Sequence, residues 1–375
     1  MVGWVVMVLA LAGSAYQLLA ARQVRALLVQ PRARRKTAAP AVTILKPLHG
    51  AEPGLDVALQ SFLAQDYPGT VQVVFGVQDP ADPAQLVVGS LRRAHPRRDV
   101  ALVVDATPHG ANRKISNVIN MMRRAKHDII LLADSDIVVR PDYLREVVAA
   151  LETPGVGVVT CPYRGQAVRG IWSRLAAMGL TYQFLPSVAV GVGLGLAQPC
   201  MGSTIALRRE VLTRIGGFEA FADLLADDYA IGAAVRGTGL RSLVAPVLVA
   251  HNCTEHGLAE LARHELRWAR TIRGVDPAGF FGSGVTYAVP LALLGLFLTG
   301  ASLVSLAVLA FALICRLWLM REVDRIAGVD GRGRWLTPLR DVLSFTIFLG
   351  SFFVRAVDWR GTQFRVDAQG ALRRI

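Results

Sequence analysis

A short apolar run that ends in two carboxylates places the tightest limit on what this chain can fold into. From Asp128 the sequence continues Ile129-Ile130-Leu131-Leu132-Ala133-Asp134-Ser135-Asp136-Ile137. Consecutive apolar residues leave no face for solvent, so the run predicts a central strand of a parallel sheet, covered on both sides. Open α/β sheets bind ligands at the carboxyl ends of their strands, where Asp134 and Asp136 fall. Residues two apart on a strand share a face, and two carboxylates there can hold Mg²⁺ or Mn²⁺, with phosphate and water completing the shell. The same Asp-Ser-Asp reads equally well as a cap on the helix after Pro141, and the motif alone does not choose.

Hydrophobic residues make up 53% of the 375, too many for an ordinary soluble enzyme. The excess sits at the ends, in Val2 to Ala21, Val285 to Ile314 and Leu339 to Val354, which predicts a membrane-anchored enzyme with a globular middle. A net charge of +13 raises nucleic acid as a partner, but no basic stripe interleaved with aromatics occurs, so nucleic acid is excluded and the bilayer is the expected partner. Arg22, Arg25, Arg32, Arg34, Arg35 and Lys36 directly follow the first apolar segment, which places that flank in the cytoplasm and argues against a cleaved signal peptide. Four scattered cysteines suggest neither a disulfide framework nor a zinc site, which suits a cytosol-facing domain. The expected organisation is an anchor (1–21), a basic cytoplasmic linker (22–40), a catalytic domain (41–257), an amphipathic helix (258–283), a membrane-embedded region (284–357) and a basic tail (358–375).

Strands are expected at Ala41 to Leu45, Thr70 to Val77, Asp99 to Val104, Gly155 to Cys161 and Leu240 to Ala245, with helices between the early ones in right-handed crossovers. The fold class is therefore α/β with a mostly parallel, nucleotide-binding sheet. Asp79 lies at a strand end. Arg113 and Lys114, in a loop turning into a helix that also carries Asn117, face either a ligand phosphate or solvent. Val190 to Leu196 is Gly-rich without dinucleotide spacing and is read as a flexible loop, and Gly202 as a close backbone approach to the site. Asp227 and Asp228 open a helix; Asp227 is read as its N-cap and Asp228 as a functional carboxylate. Leu258 to Arg273 is basic and amphipathic, carrying Arg263, His264, Arg267 and Trp268, and either binds diphosphate or lies on headgroups. Two passes or one between Gly284 and Ile314, broken at Thr299 to Ser302, are both open, with a tight hairpin keeping a basic loop at Arg316 to Arg334 cytoplasmic and Leu339 to Val354 re-entrant or interfacial.

With these residues in place the chain resembles the membrane-bound family-2-like glycosyltransferases of GT-A fold, most closely the ceramide glucosyltransferase group. The similarity covers nearly the whole chain, from the anchor through Lys46-Pro47-Leu48-His49-Gly50 to the tail at Trp359–Arg365. That group carries three spaced aspartates, matched by Asp79, Asp134 and Asp228, and a (Q/R)xxRW motif, matched by Arg267 and Trp268 with His264 in the first position. Arg263 stands beside it as a substitute. Finer similarity, in Val77 to Pro83, Gly110 to Lys114 and His264 to Arg273, is to bacterial hopanoid glucosaminyltransferases. The resemblance implies an inverting transfer of N-acetylglucosamine from UDP-GlcNAc to the terminal hydroxyl of bacteriohopanetetrol at the bacterial inner membrane, by a multi-pass protein with its catalytic domain in the cytoplasm. Asp79 would contact the nucleoside, Asp136 and Asp134 the divalent metal, Asp134 also the ribose, and Asp228 would be the base. Lys114, Arg267 and Trp268 would bind the donor, with Lys46, Asn117, Gly202 and Asp227 as further candidates. A ceramide glucosyltransferase using UDP-glucose, a membrane nucleotidyl- or phosphoryltransferase, and a non-catalytic lipid-binding protein are the competing readings.

Overall fold

The computed structural model describes residues 1–31 and 39–353 in full and the backbone of 357–359, 362–366 and 372–374. The basic residues Arg32, Arg34, Arg35 and Lys36 of the expected linker, with Arg355 and Arg360 of the tail, lie outside the described residues.

A seven-stranded sheet organises the catalytic domain. Its strands are β1 (Val42–Pro47), β2 (Val71–Val77), β3 (Asp99–Val104), β4 (Ile129–Leu132), β6 (Val156–Thr160), β8 (Ile205–Arg208) and β9 (Arg241–Val244), in the order β3-β2-β1-β4-β8-β6-β9. Strands β1 to β4 pair in parallel, as the alternation of strands and helices predicts, while β8 runs antiparallel to both β4 and β6. Side-chain alternation builds two cores from single strands. Val42, Ile44, Ile129 and Leu131 join Phe62, Phe75 and Tyr143 on one face, and Leu45, Ile130 and Leu132 join Ile115, Ile205 and Leu207 on the other. A smaller sheet, with order β5-β10-β7, is made of β5 (Ile137–Val138), β7 (Tyr163–Ala167) and β10 (Val249–Cys253). Two of these strands, β7 and β10, carry no clean apolar alternation, and the sequence pattern did not single them out.

The long apolar segments are helical. The first helix spans Val2–Leu28, so Arg22 and Arg25 continue the anchor rather than open a linker. Residues 190–193 belong to a helix: Gly170–Gly179, a π-helical turn at Leu180–Phe184 and Leu185–Gly193 form one run, and the expected flexible loop is confined to the residues after it. Its glycines serve packing, since a Cβ on Gly193 would collide with Gln23 of the first helix. The expected break at 299–302 is present, with Gly300 and Ala301 at φ 67° and 56°, between helices Ala288–Leu298 and Leu303–Ala327. The latter helix absorbs Arg316, Arg321 and Arg325, which were expected in a loop.

By length and composition, three helices among the described residues can cross a membrane (Val2–Leu28, Gly170–Gly193 and Leu303–Ala327), or four if the pair Pro277–Thr286 and Ala288–Leu298, bent by 64°, counts as one span. Helix Thr337–Gly350 has 14 residues, about 21 Å, and falls short of a bilayer core of roughly 30 Å. The amphipathic helix ends at Val275, where Asp276 caps a separate short helix, Pro277–Gly282. The backbone of the basic tail forms three short antiparallel strands, β11 (Val357–Trp359), β12 (Thr362–Val366) and β13 (Leu372–Arg374).

Candidate active site

β4 stops at Leu132, and Asp134 and Asp136 stand in the turn between β4 and β5 rather than on one strand face. Their carboxylates engage different partners. Asp134 Oδ1 lies 2.9 Å from Lys114 Nζ, and Asp136 Oδ2 lies 3.2 Å from His251 Nε2. The turn is held from beneath by Lys46, which is in step with Ile44 and therefore on the Phe62 side of the sheet. Its ammonium is fully buried, donates to the Asp134 carbonyl and sits 3.9 Å from the Phe62 ring centroid. Burial pulls its pKa down to about 7 against the opposing pull of Asp136 and Asp134.

Lys114 opens into a carboxylate cluster. Asn112 caps its helix, accepting from Ile115 N at 3.0 Å, and this fixes Lys114 in the first turn. Lys114 Nζ also reaches Asp227 Oδ2 at 3.1 Å, and Asn112 Nδ2 donates to Asp227 Oδ1 at 3.2 Å. Asp227 is therefore the buried partner of Lys114 and Asn112, and the expectation that it caps its own helix is corrected: that helix begins at Asp227 itself, after Ala226. Asp228 Oδ2 accepts from the Gly202 amide at 2.9 Å. Gly202 must lack a side chain, because a Cβ would lie 2.6 Å from Asp134 Oδ2 and 3.3 Å from Lys114 Nζ. Backbone contact repeats the closeness, with Asp134 N donating to Gly202 O at 3.2 Å.

Charge is divided unequally in this cluster. Burial, then neighbouring Asp227, raise the Asp228 pKa to about 6 despite the opposing field of Lys114. Burial also raises Asp134, whereas Lys114 is held protonated because Asp134, Asp227 and Asp228 together outweigh its desolvation. Asp136 is the strong acid of the group: burial disfavours its charge, but His251 and Lys46 overcome that and hold it at about 2. His251 is correspondingly held protonated by Asp136 against its own burial.

His251, on β10, is the main residue that sequence reasoning missed. Nothing local marks it, since its partner lies 115 positions away, although a His in a short polar strand after the second acidic pair was the available signal. It stacks on Tyr163 and meets Trp268 edge-on at 6.0 Å. Trp268 in turn lies 4.2 Å from the His264 ring, and His264 Nδ1 is 2.9 Å from the buried Glu255, another residue not foreseen. The amphipathic helix is thus brought to Asp136 through His264 and Trp268. Arg267 is half-buried on the same helix, while Arg263 is exposed and does not replace His264 in this contact.

Asp79 lies apart. It is exposed at the end of β2, two strands or roughly 10 Å from β4, and borders an open cavity of about 420 Å³ with Gln78, Arg113 and Ser116. Asn117 is not brought to the site: it is buried between its helix and β2, donating to Gly76 O at 2.8 Å.

The residues present fit a divalent cation sparsely. Asp136 Oδ1 is buried with no hydrogen-bond donor among the described residues, leaving an anionic oxygen for a cation. Among the described residues no group of three or more His, Cys, Asp or Glu converges on one point. Such a site would take its remaining ligands from a diphosphate and water, the usual arrangement for Mg²⁺ beside phosphates.

Comparison with known proteins converges on one family. Residues 4–372 match glycosyl transferase family 21. The chain belongs to that family. It is 23% identical over 352 residues to ceramide glucosyltransferase 1 of Caenorhabditis elegans, covering 89% of this chain and 73% of that protein. It is 25% identical over 283 residues to an N-acetylglucosaminyltransferase of Bradyrhizobium diazoefficiens, covering 70% of this chain and 57% of that one. Among solved structures, a mannosyltransferase from Pyrobaculum calidifontis in complex with GDP-mannose and Mn²⁺ superposes with a TM-score of 0.55 at 22% identity, over 89% of this chain and 99% of the other. The family 21 chain therefore has the GT-A fold, with apolar helices at both ends, and is a nucleotide-sugar glycosyltransferase.

Proposed function

We propose that this glycosyltransferase moves N-acetylglucosamine from UDP-GlcNAc to the terminal hydroxyl of bacteriohopanetetrol, with inversion, at the cytoplasmic face of a bacterial inner membrane. One observation carries the reaction type: a half-buried carboxylate, Asp228, with its pKa raised to about 6, stands beside the Lys114–Asp134 pair. A general base works best when its pKa lies near the working pH. Asp228 takes the proton of the lipid hydroxyl as that oxygen attacks the anomeric carbon, and UDP departs from the opposite face. Lys114 and Arg267 place positive charge where the diphosphate gains negative charge. Asp79 and its cavity receive the nucleoside. Asp136, with His251 and Asp134 beside it, would hold the divalent ion, which supplies Lewis-acid neutralisation of the leaving group.

The bacterial N-acetylglucosaminyltransferase relative supports the choice of sugar. The ceramide glucosyltransferase relative supports a second reading, transfer of glucose from UDP-glucose to ceramide. Mass spectrometry of lipids from cells expressing the protein with both acceptors present tests the pair. A hexosaminyl hopanoid is expected; a hexosylceramide overturns the acceptor and sugar together, and a nucleotidyl-lipid product would mean that the protein does not transfer sugars.

A further inference from the structure

A polar seam runs through the apolar helices next to the amphipathic helix. At its centre Arg316, in helix Leu303–Ala327, pairs with both oxygens of Asp341 at 3.0 and 2.6 Å and donates to Tyr182 O at 2.7 Å. One residue before Asp341, Arg340 Nη2 meets Glu265 Oε1 of the amphipathic helix at 2.7 Å. Its guanidinium fills the notch left by Gly179, where any Cβ would collide with it. Gln183 donates to Thr286 Oγ1 at 2.9 Å, at the bend of the broken helix pair. The neighbouring Tyr287 hydroxyl stands in the field of Arg340, Glu265, Asp341 and Arg316. Gln17 lies one turn from Gly13, whose neighbours are Val285 and Ala288, so it faces the same bend.

Most of these groups satisfy one another, but three atoms do not. Arg340 Nε and Nη1 and Gln17 Oε1 are buried with no hydrogen-bond partner among the described residues, on residues only 5% and 3% exposed. Ionic donors left unmet in an apolar helix bundle are costly, and charged residues at such positions mark substrate paths. Two donors and one acceptor are the complement of neighbouring hydroxyls, each of which accepts and donates. An anionic headgroup would meet Arg340 but would face Glu265 and Asp341 and could not donate to Gln17. Beside the seam, Phe345 and Phe348 lie 5.5 and 5.2 Å from the Tyr287 ring, an apolar wall for a lipid body.

We propose that this seam is the seat for the polyhydroxylated head of the acceptor lipid. It lies against the helix whose Trp268 meets His251, the partner of Asp136, so a head held there is on the side of the transfer centre. The inference rests on reading the protein as a lipid glycosyltransferase.

The test titrates bacteriohopanetetrol, and the same ring system without hydroxyls, into full-length protein in phosphatidylcholine nanodiscs with no sugar nucleotide present. Wild type is expected to prefer the tetrol. Arg340→Gln and Gln17→Leu should each weaken tetrol binding about tenfold or more while leaving the hydroxyl-free lipid unaffected. A parallel titration with UDP and Mn²⁺ reports whether each variant keeps its fold, and Gln17→Leu carries the test if Arg340→Gln does not. Equal binding of the two lipids by wild type, or tetrol affinity unchanged in a folded variant, overturns the proposal. Loss of tetrol binding in the variants, combined with no sugar transfer to the tetrol by wild type, keeps the seat and removes the acceptor reading instead.

Discussion

The sheet edge and the membrane seam both gather carboxylates and cations, but they settle them differently. At the sheet edge Lys114 meets Asp134 and Asp227, and His251 meets Asp136, so nearly every charge has an opposite partner before any donor arrives. In the seam the Arg316–Asp341 pair is equally complete, yet Arg340 keeps two donors unmet. The difference follows from solvent. A site open to water can exchange internal ion pairs for ligand contacts at little cost, whereas buried polar groups in an apolar bundle must be matched by protein or by ligand. At the edge an unmet buried atom is the anionic Asp136 Oδ1, which calls for a cation, whereas in the seam the unmet atoms are donors of Arg340 and an acceptor of Gln17, which call for hydroxyls.

Removing the base separates the two regions most sharply. Asp228→Asn should lower kcat by about 10²–10⁴-fold with UDP binding retained, measured by UDP release; a near wild-type rate would remove Asp228 from the mechanism. Arg316→Ala leaves Asp341 buried and unpaired, and should cost about 3–5 kcal/mol of stability, read as a lower thermal midpoint in detergent, with little effect on donor affinity in the folded fraction. His251→Gln loses the partner that orients Asp136 and should weaken Mn²⁺ affinity by about 10–100-fold in calorimetry with UDP present. Unchanged affinity would confine His251 to packing.

The smallest effect tests the electrostatics alone. Asp228 must be ionised to accept a proton, so kcat/KM should fall as pH drops through about 6. Lys114 lowers the Asp228 pKa and Asp227 raises it. Lys114→Met should therefore move the acid limb of the pH profile to higher pH, and Asp227→Asn to lower pH. Shifts in the same direction would contradict the cluster as described.

What the sequence revealed follows from how far each residue lies from its partners. The β4 run, Asp228 and the Arg267–Trp268 pair announce themselves through neighbours within a few positions. Asp227 looked like a helix cap because its first-turn position is visible locally, while Lys114 and Asn112, its actual partners, lie more than 100 residues earlier. His251 and Glu255 were silent for the same reason. Gly191 and Gly193 suggested a loop because glycine is a poor helix former; close packing of Gly193 against Gln23 of the first helix, and of Gly191 against Ala197, overrides that preference. Span counting was ambiguous where Gly300 and Ala301 break the apolar stretch, since hydropathy records length but not bending.

One reversed strand has a consequence for how this protein can vary. Because β8 runs against β4, Ile205 pairs with Leu132, and the residues leading into β8 arrive at the carboxyl edge of the sheet, beside Asp134. A parallel strand would bring its lead-in to the opposite edge, some 13 Å away for a strand of four residues. Gly202 therefore owes its place to chain length as much as to its missing side chain. Inserting or deleting one residue between Gly202 and Ile205 would turn every following side chain to the wrong face or drag the glycine off the carboxylates. The exposed turn at Gly195, which has open space around it, is where insertions can be absorbed.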